Sequence, residues 1–111
     1  MKTENVWTRL RLLRAVTAQQ ETDYLPLVQD AMERLEAQRR QLGGDSLLEA
    51  AAAALVNWQL TLTEVDGDFT AGEVRFAGGN TREGAHQIWR DALAAAAPYL
   101  HDEAFVFRRI S

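Results

Sequence analysis

The 111-residue sequence contains no cysteine, which excludes a disulfide framework, a thiol nucleophile and cysteine-based zinc sites. The redox compartment stays open on this ground. Histidine occurs only as His86 and His101, and serine only as Ser46 and Ser111, so a serine–histidine triad has no credible members. Long apolar runs are missing too. The longest uncharged stretch, 50–63, covers about 14 residues, includes Asn57 and Gln59, and falls short of the ~20 apolar residues that cross a bilayer. No membrane span is expected. Arg9 interrupts the N-terminal apolar residues before the core of a signal peptide could form. With 12 Lys+Arg against 16 Asp+Glu, the formal charge is −4, and an overall electrostatic footprint for nucleic acid is absent, although a local basic patch could still occupy one face.

Core material, by contrast, is plentiful: 47% of the residues are hydrophobic, and a chain of this length buries roughly 65% of its unfolded surface. One small soluble domain, 1–111, is therefore expected, with no need of a covalent or metal staple. Val6, Leu10, Leu13 and Val16 or Thr17 share one face of a first helix over about residues 4–16. The segment from Thr17 to Asp23 breaks that pattern. Pro26, just after Thr22 and Asp23, suits the first turn of a second helix, whose apolar side would be Leu25, Val28, Met32, Leu35 and Leu42, with Gly43 and Gly44 ending it. Ser46-Leu-Leu-Glu49 reads as a capping box opening a third helix. Leu48, the alanines 50–54, Leu55, Trp58 and Leu62 would make that helix the centre of the core.

Val65-Asp-Gly-Asp68 signals a turn, and Phe69 to Phe76 then alternates as a short strand, with Val74 and Phe76 opposite Glu73 and Arg75. After a break at Gly78-Gly79, Asn80 to Glu83 can cap a fourth helix carrying Ala85, Ile88, Trp89, Ala92, Leu93 and Ala96 inward. Pro98 ends or kinks it. The tail from Phe105 to Ile110 again has strand composition. The fold class read from this order is mainly α: a small bundle of about four helices, with one or two short β-strands near 72–77 and 104–110 and an extended C-terminal segment, 104–111.

Catalytic, metal and cofactor residues do not emerge. His86 lies between Arg82 and Arg90 on the fourth helix and reads as a surface or partly packed residue, while His101 beside Asp102 and Glu103 lacks a second histidine to make a metal site. Asp66-Gly-Asp68 begins like a calcium loop, but Ala77 stands where the twelfth-position glutamate belongs. Gly78-Gly-Asn-Thr81 has neither the spacing nor the lysine of a phosphate-binding loop. Arg9, Arg11 and Arg14, together with Arg34, Arg39, Arg40, Arg108 and Arg109, are the candidates for phosphate, and several sit among acids. Trp7, Trp58 and Trp89 fall at core spacings, Trp7 being the one placed to dock on a partner from a short terminal helix. Apolar side chains in 69–76 and 105–110 suggest strand addition or subunit contacts, or a pairing within the chain.

The element order, with the Phe-x-x-Gly-Glu-Val segment of Phe69, Gly72, Glu73 and Val74 and the Phe-Val-Phe-Arg-Arg end at 105–109, resembles the head-tail connector family of tailed bacteriophages. These are adaptor or head-completion proteins. The resemblance spans about Ala15 to Ile110 and implies a non-enzymatic virion protein, active at the head-tail junction and assembled in the host cytoplasm. It implies a homo-oligomer, typically a dodecameric ring, docked under the portal protein and extending the DNA channel toward a stopper or tail-completion protein. By position, Phe69, Gly72, Glu73, Val74, Arg75 and Phe76 would form a subunit or channel interface. Phe105, Phe107, Arg108, Arg109 and Ile110 would touch the portal or the neighbouring ring. Twelve copies at −4 each carry roughly −48 charges, a lining past which phage DNA would move without sequence-specific binding. The N-terminal Trp7, Arg9, Arg11 and Arg14 match no motif of the family and are a separate candidate partner contact. They carry the alternative reading, a small helical regulator that binds nucleic acid or a protein partner.

Overall fold

Val6 and Leu10 stand four residues apart on α1 (Thr3–Leu13) and are fully buried, which is why so short a segment holds a helix against its neighbours. Lys2 precedes it in extended conformation, and no side chain of α1 itself caps the first turn. A carboxylate from elsewhere does so: the Lys2 N–H donates to Glu49 Oε2 at 2.7 Å, placing negative charge at the positive end of the helix. The helix stops at Leu13, three residues short of the expected end, because Arg14 turns to φ −161°, ψ 157°. This is a computed structural model, in which residues 1–67 and 81–100 are described, 65–67 by their backbone alone.

The second helix, α2 (Ala18–Gln38), begins eight residues before Pro26, which corrects the start expected there. Thr17 Oγ1 accepts from the Gln20 N–H and Gln20 Oε1 accepts from the Thr17 N–H, at 3.1 and 2.9 Å, so a Thr-x-x-Gln capping box fixes the helix start. Pro26 is consequently internal. Its ring lies on the exposed side, where water can take the carbonyl freed by the missing N–H. Packing of Val28, Ala31 and Leu35 into the core outweighs that local cost.

Gly43 and Gly44 do not end α2 as expected; Arg39 does, in extended conformation. Leu42, assigned to the core, is 91% exposed. The arginine then organises the connection that follows: its guanidinium donates to the Gly43 carbonyl and to Glu36 at 2.9 Å and to the Gln41 carbonyl at 3.2 Å, and it pairs with Asp45. Both glycines take positive φ, +92° and +73°. At Gly44 a Cβ would stand 2.7 Å from the Tyr99 ring, so glycine is required there for conformation and for space alike.

The central helix is α3 (Asp45–Gly67), its first turn closed by the Leu48 N–H on the Gly44 carbonyl. The capping box expected at Ser46 and Glu49 is therefore not formed: Ser46 is already inside the helix, and Glu49 is engaged by α1. Residues 51–56 are all buried, with exposures of 2% or less, as befits a helix apolar on every side. Its alanines let α1, α2 and α4 approach closely. It runs through residues 65–67, which the sequence suggested were turn.

Thr81 caps α4 (Arg82–Ala96), its hydroxyl accepting from the Gly84 N–H at 3.0 Å. Ala85, Trp89, Leu93 and Ala96 are buried, and Ile88 and Ala92 pack at the margin, as the spacing predicts. Pro98 opens a 3-10 turn, Ala97–Tyr99. The loop after α2 is clamped to that turn: the Arg40 N–H donates to the Tyr99 carbonyl, and Arg40 Nε and Gln41 Nε2 both donate to the Pro98 carbonyl. The mainly α expectation holds, with four helices among the described residues. Among these residues no helix is long and apolar enough to cross a membrane. The strands expected near 72–77 and 104–110 lie outside them.

Candidate functional site

Arginines at 9, 11 and 14 cannot share one helical face, since two residues of separation place side chains on opposite sides and Arg14 lies past the end of α1. They separate accordingly. Arg9 donates to Ser46 Oγ at 2.7 Å. Arg11 pairs with Glu21 of α2 and sits 5.9 Å from the centroid of the half-buried Trp7 ring. Arg14 turns inward, its side chain only 6% exposed, where it donates to Asn57 Oδ1 at 3.3 Å and pairs with Glu64. The expected basic cluster is thus three intramolecular ties. Among the other arginine candidates, Arg34 pairs with Asp30 at 3.0 Å, while Arg39 and Arg40 hold the loop between α2 and α3.

Arg14 rests on a polar stripe of α3 formed by Asn57, Thr61 and Glu64 at helical spacings of four and three. Asn57 and Thr61 are completely buried. Because a guanidinium only donates, Asn57 must present its oxygen to Arg14, which leaves its amide nitrogen to find an acceptor. It finds none, and neither the Thr61 hydroxyl nor Gln59 Oε1 has a partner. Each such group costs on the order of 1–3 kcal/mol when buried. At the other end of α1, Glu49 is 5% exposed and accepts from the Asn5 amide at 3.2 and 3.3 Å besides the Lys2 N–H. These two polar ties flank the apolar contact of Val6 and Leu10.

The remaining candidates divide by burial. Trp89 and Trp58 are core residues, 1% and 8% exposed, and His86 stacks on Trp58 with ring centroids 4.6 Å apart at 36°. His86 is therefore a packed histidine. Asn57 and Thr61 were not singled out from the sequence as site residues, and Glu49 only as the partner of Ser46 in a helix cap; the signal available was a carboxylate, an amide and a hydroxyl in an otherwise apolar, alanine-rich helix. His101, Asp68 and 78–80 lie outside the described residues, as do Phe69, Gly72, Glu73, Val74, Arg75, Phe76, Phe105, Phe107, Arg108, Arg109 and Ile110. Comparison with known protein families, curated protein sequences and solved structures finds no match.

Proposed function

We propose that the chain is a structural connector of a tailed phage or prophage, forming a ring under the portal and extending the DNA channel toward the tail. It acts without catalysis. The observation that supports this reading over the regulator is the dispersal of the three arginines: Arg9 and Arg11 reach opposite sides, to Ser46 and Glu21, and Arg14 is buried against Asn57 and Glu64, so α1 does not present them together as one cationic face toward phosphate. The sequence supplies the rest through the Phe69 to Val74 segment, set between an alanine-rich helix and a further amphipathic one, and through the Phe-Val-Phe-Arg-Arg end. Its portal-facing and subunit contacts belong to those two segments.

Electron microscopy of the chain co-expressed with the portal protein of the same phage or prophage tests the reading. An added ring beneath the portal is expected. A portal unchanged from that seen alone, with the small protein left free, overturns it. In that event, salt-sensitive retardation of duplex DNA, weakened by Arg9→Ala and Arg11→Ala, would establish the regulator.

A further inference from the structure

Just past the end of α1, Arg14 is anchored on a polar face of α3. Its guanidinium donates to Asn57 Oδ1 at 3.3 Å and pairs with Glu64 through Oε2, and Asn57, Thr61 and Glu64 share one face of α3 at spacings of four and three. Asn57 and Thr61 are completely buried, and the Arg14 side chain is only 6% exposed. Neither the Asn57 amide nitrogen nor the Thr61 hydroxyl has a partner within the chain, yet buried groups of this kind are paired in native proteins, with protein or with ordered water. Gln59 Oε1 is also unpartnered, but two residues of separation put it on another side of the helix. On the shared face, the fully buried Ala53 precedes Asn57 by one turn and Thr61 follows by one, so small side chains stand on either side of the amide.

We infer that Asn57, Thr61 and Glu64 form a buried hydration site holding one water molecule where the end of α1 meets α3. Side chains four apart on a helix have Cβ atoms roughly 5–6 Å apart, and one oxygen at about 2.9 Å from each polar group bridges such a gap. The water oxygen accepts from Asn57 Nδ2 and from the Thr61 hydroxyl, and one of its hydrogens goes to the Glu64 carboxylate, which gives Oε2 to Arg14. About three polar partners are what a buried water has, and on the order of one such water per 27 residues is usual. The lining selects water over an ion. Arg14 and Glu64 neutralise each other, so an anion would bring an unpaired charge against Glu64, and a cation would meet the donors Arg14 and Asn57. The water satisfies two groups that would otherwise lower stability, and it makes Thr61 as well as Asn57 part of what fixes Arg14. The site is independent of the connector reading.

Two measurements on the full chain test the site. In the first, NMR cross-peaks with water are recorded at the Asn57 side-chain amide of isotope-labelled protein, with the exposed Gln87 amide on α4 as reference. A bound water gives NOE and ROE peaks of opposite sign at Asn57 and not at Gln87, and the Asn57 peaks should persist in Thr61→Ala, where no hydroxyl can relay magnetisation from solvent. Their absence from the unmodified chain overturns the site, as does their loss in Thr61→Ala. The second measurement is the melting temperature of Thr61→Val, which removes the hydroxyl at nearly constant volume. Losing a hydroxyl bonded to water should lower the melting temperature by about 4 °C or more, whereas losing one that is buried without a partner raises it. A melting temperature unchanged or raised in Thr61→Val overturns the inference.

Discussion

Arg14 and Gly44 show how far a residue's role depends on what lies across from it. Removing the Arg14 side chain leaves Asn57 Oδ1 without its donor in a buried site, so Arg14→Ala should lower stability by about 2–4 kcal/mol. Arg11→Ala, by contrast, should cost less than about 0.5 kcal/mol, since its pair with Glu21 is roughly 40% exposed on both sides. Urea titrations of the two variants measure the difference. In sequence these arginines look equivalent, because charge type and spacing carry no information about which one is buried. Gly44→Ala meets two obstacles, a positive φ and the Tyr99 ring 2.7 Å away, and should cost about 2 kcal/mol or more. Pairing it with Tyr99→Ala removes the steric part alone, so the double variant should recover some of the loss caused by Gly44→Ala relative to the Tyr99→Ala background. A cycle in which the two costs simply add would show that the ring gives way.

At the level of elements, two segments have capping-box spacing: Ser46 with Glu49, the one read from the sequence, is not formed, and Thr17 with Gln20, passed over there as a break, is built. Spacing could not distinguish them. What decides is tertiary: Glu49 is drawn to the first turn of α1, more than forty residues away, while Gln20 has no such competitor. Thr17→Ala should therefore cost about 1 kcal/mol. Ser46→Ala removes only an exposed bond to Arg9 and should cost less than about 0.5 kcal/mol. Thermal melts compare the two, and a Ser46 effect as large as that of Thr17 would restore the Ser46 box. The apolar periodicities of α3 and α4 were legible because Leu48, Leu55, Trp58, Ala85, Trp89 and Leu93 face inward as their spacing demands. The start of α2 was not, since Pro26 favours a helix beginning and only the longer capping interaction, backed by burial of Val28 and Leu35, overrides it.

For the whole molecule, the bundle is closed by contacts that reach just past α4. Leu100 is 3% exposed and Tyr99 covers Gly44, while the Pro98 and Tyr99 carbonyls accept from Arg40 and Gln41. These ties were invisible in sequence because they join a glycine turn to residues more than fifty positions later. They also mark where the chain can be cut. Ending it after Glu103 retains every one of them, so the shortened chain should keep the helical circular dichroism and a melting temperature within a few degrees of the full protein. If the connector reading holds, the same truncation removes Phe105, Phe107, Arg108, Arg109 and Ile110 and should abolish docking to the portal. Ending the chain after Ala97 instead removes the clamp and exposes the loop glycines, and should lower the melting temperature by roughly 10 °C or more. A truncation after Glu103 that unfolds would assign the tail to the core, and one that folds and still docks would take the portal contact away from it.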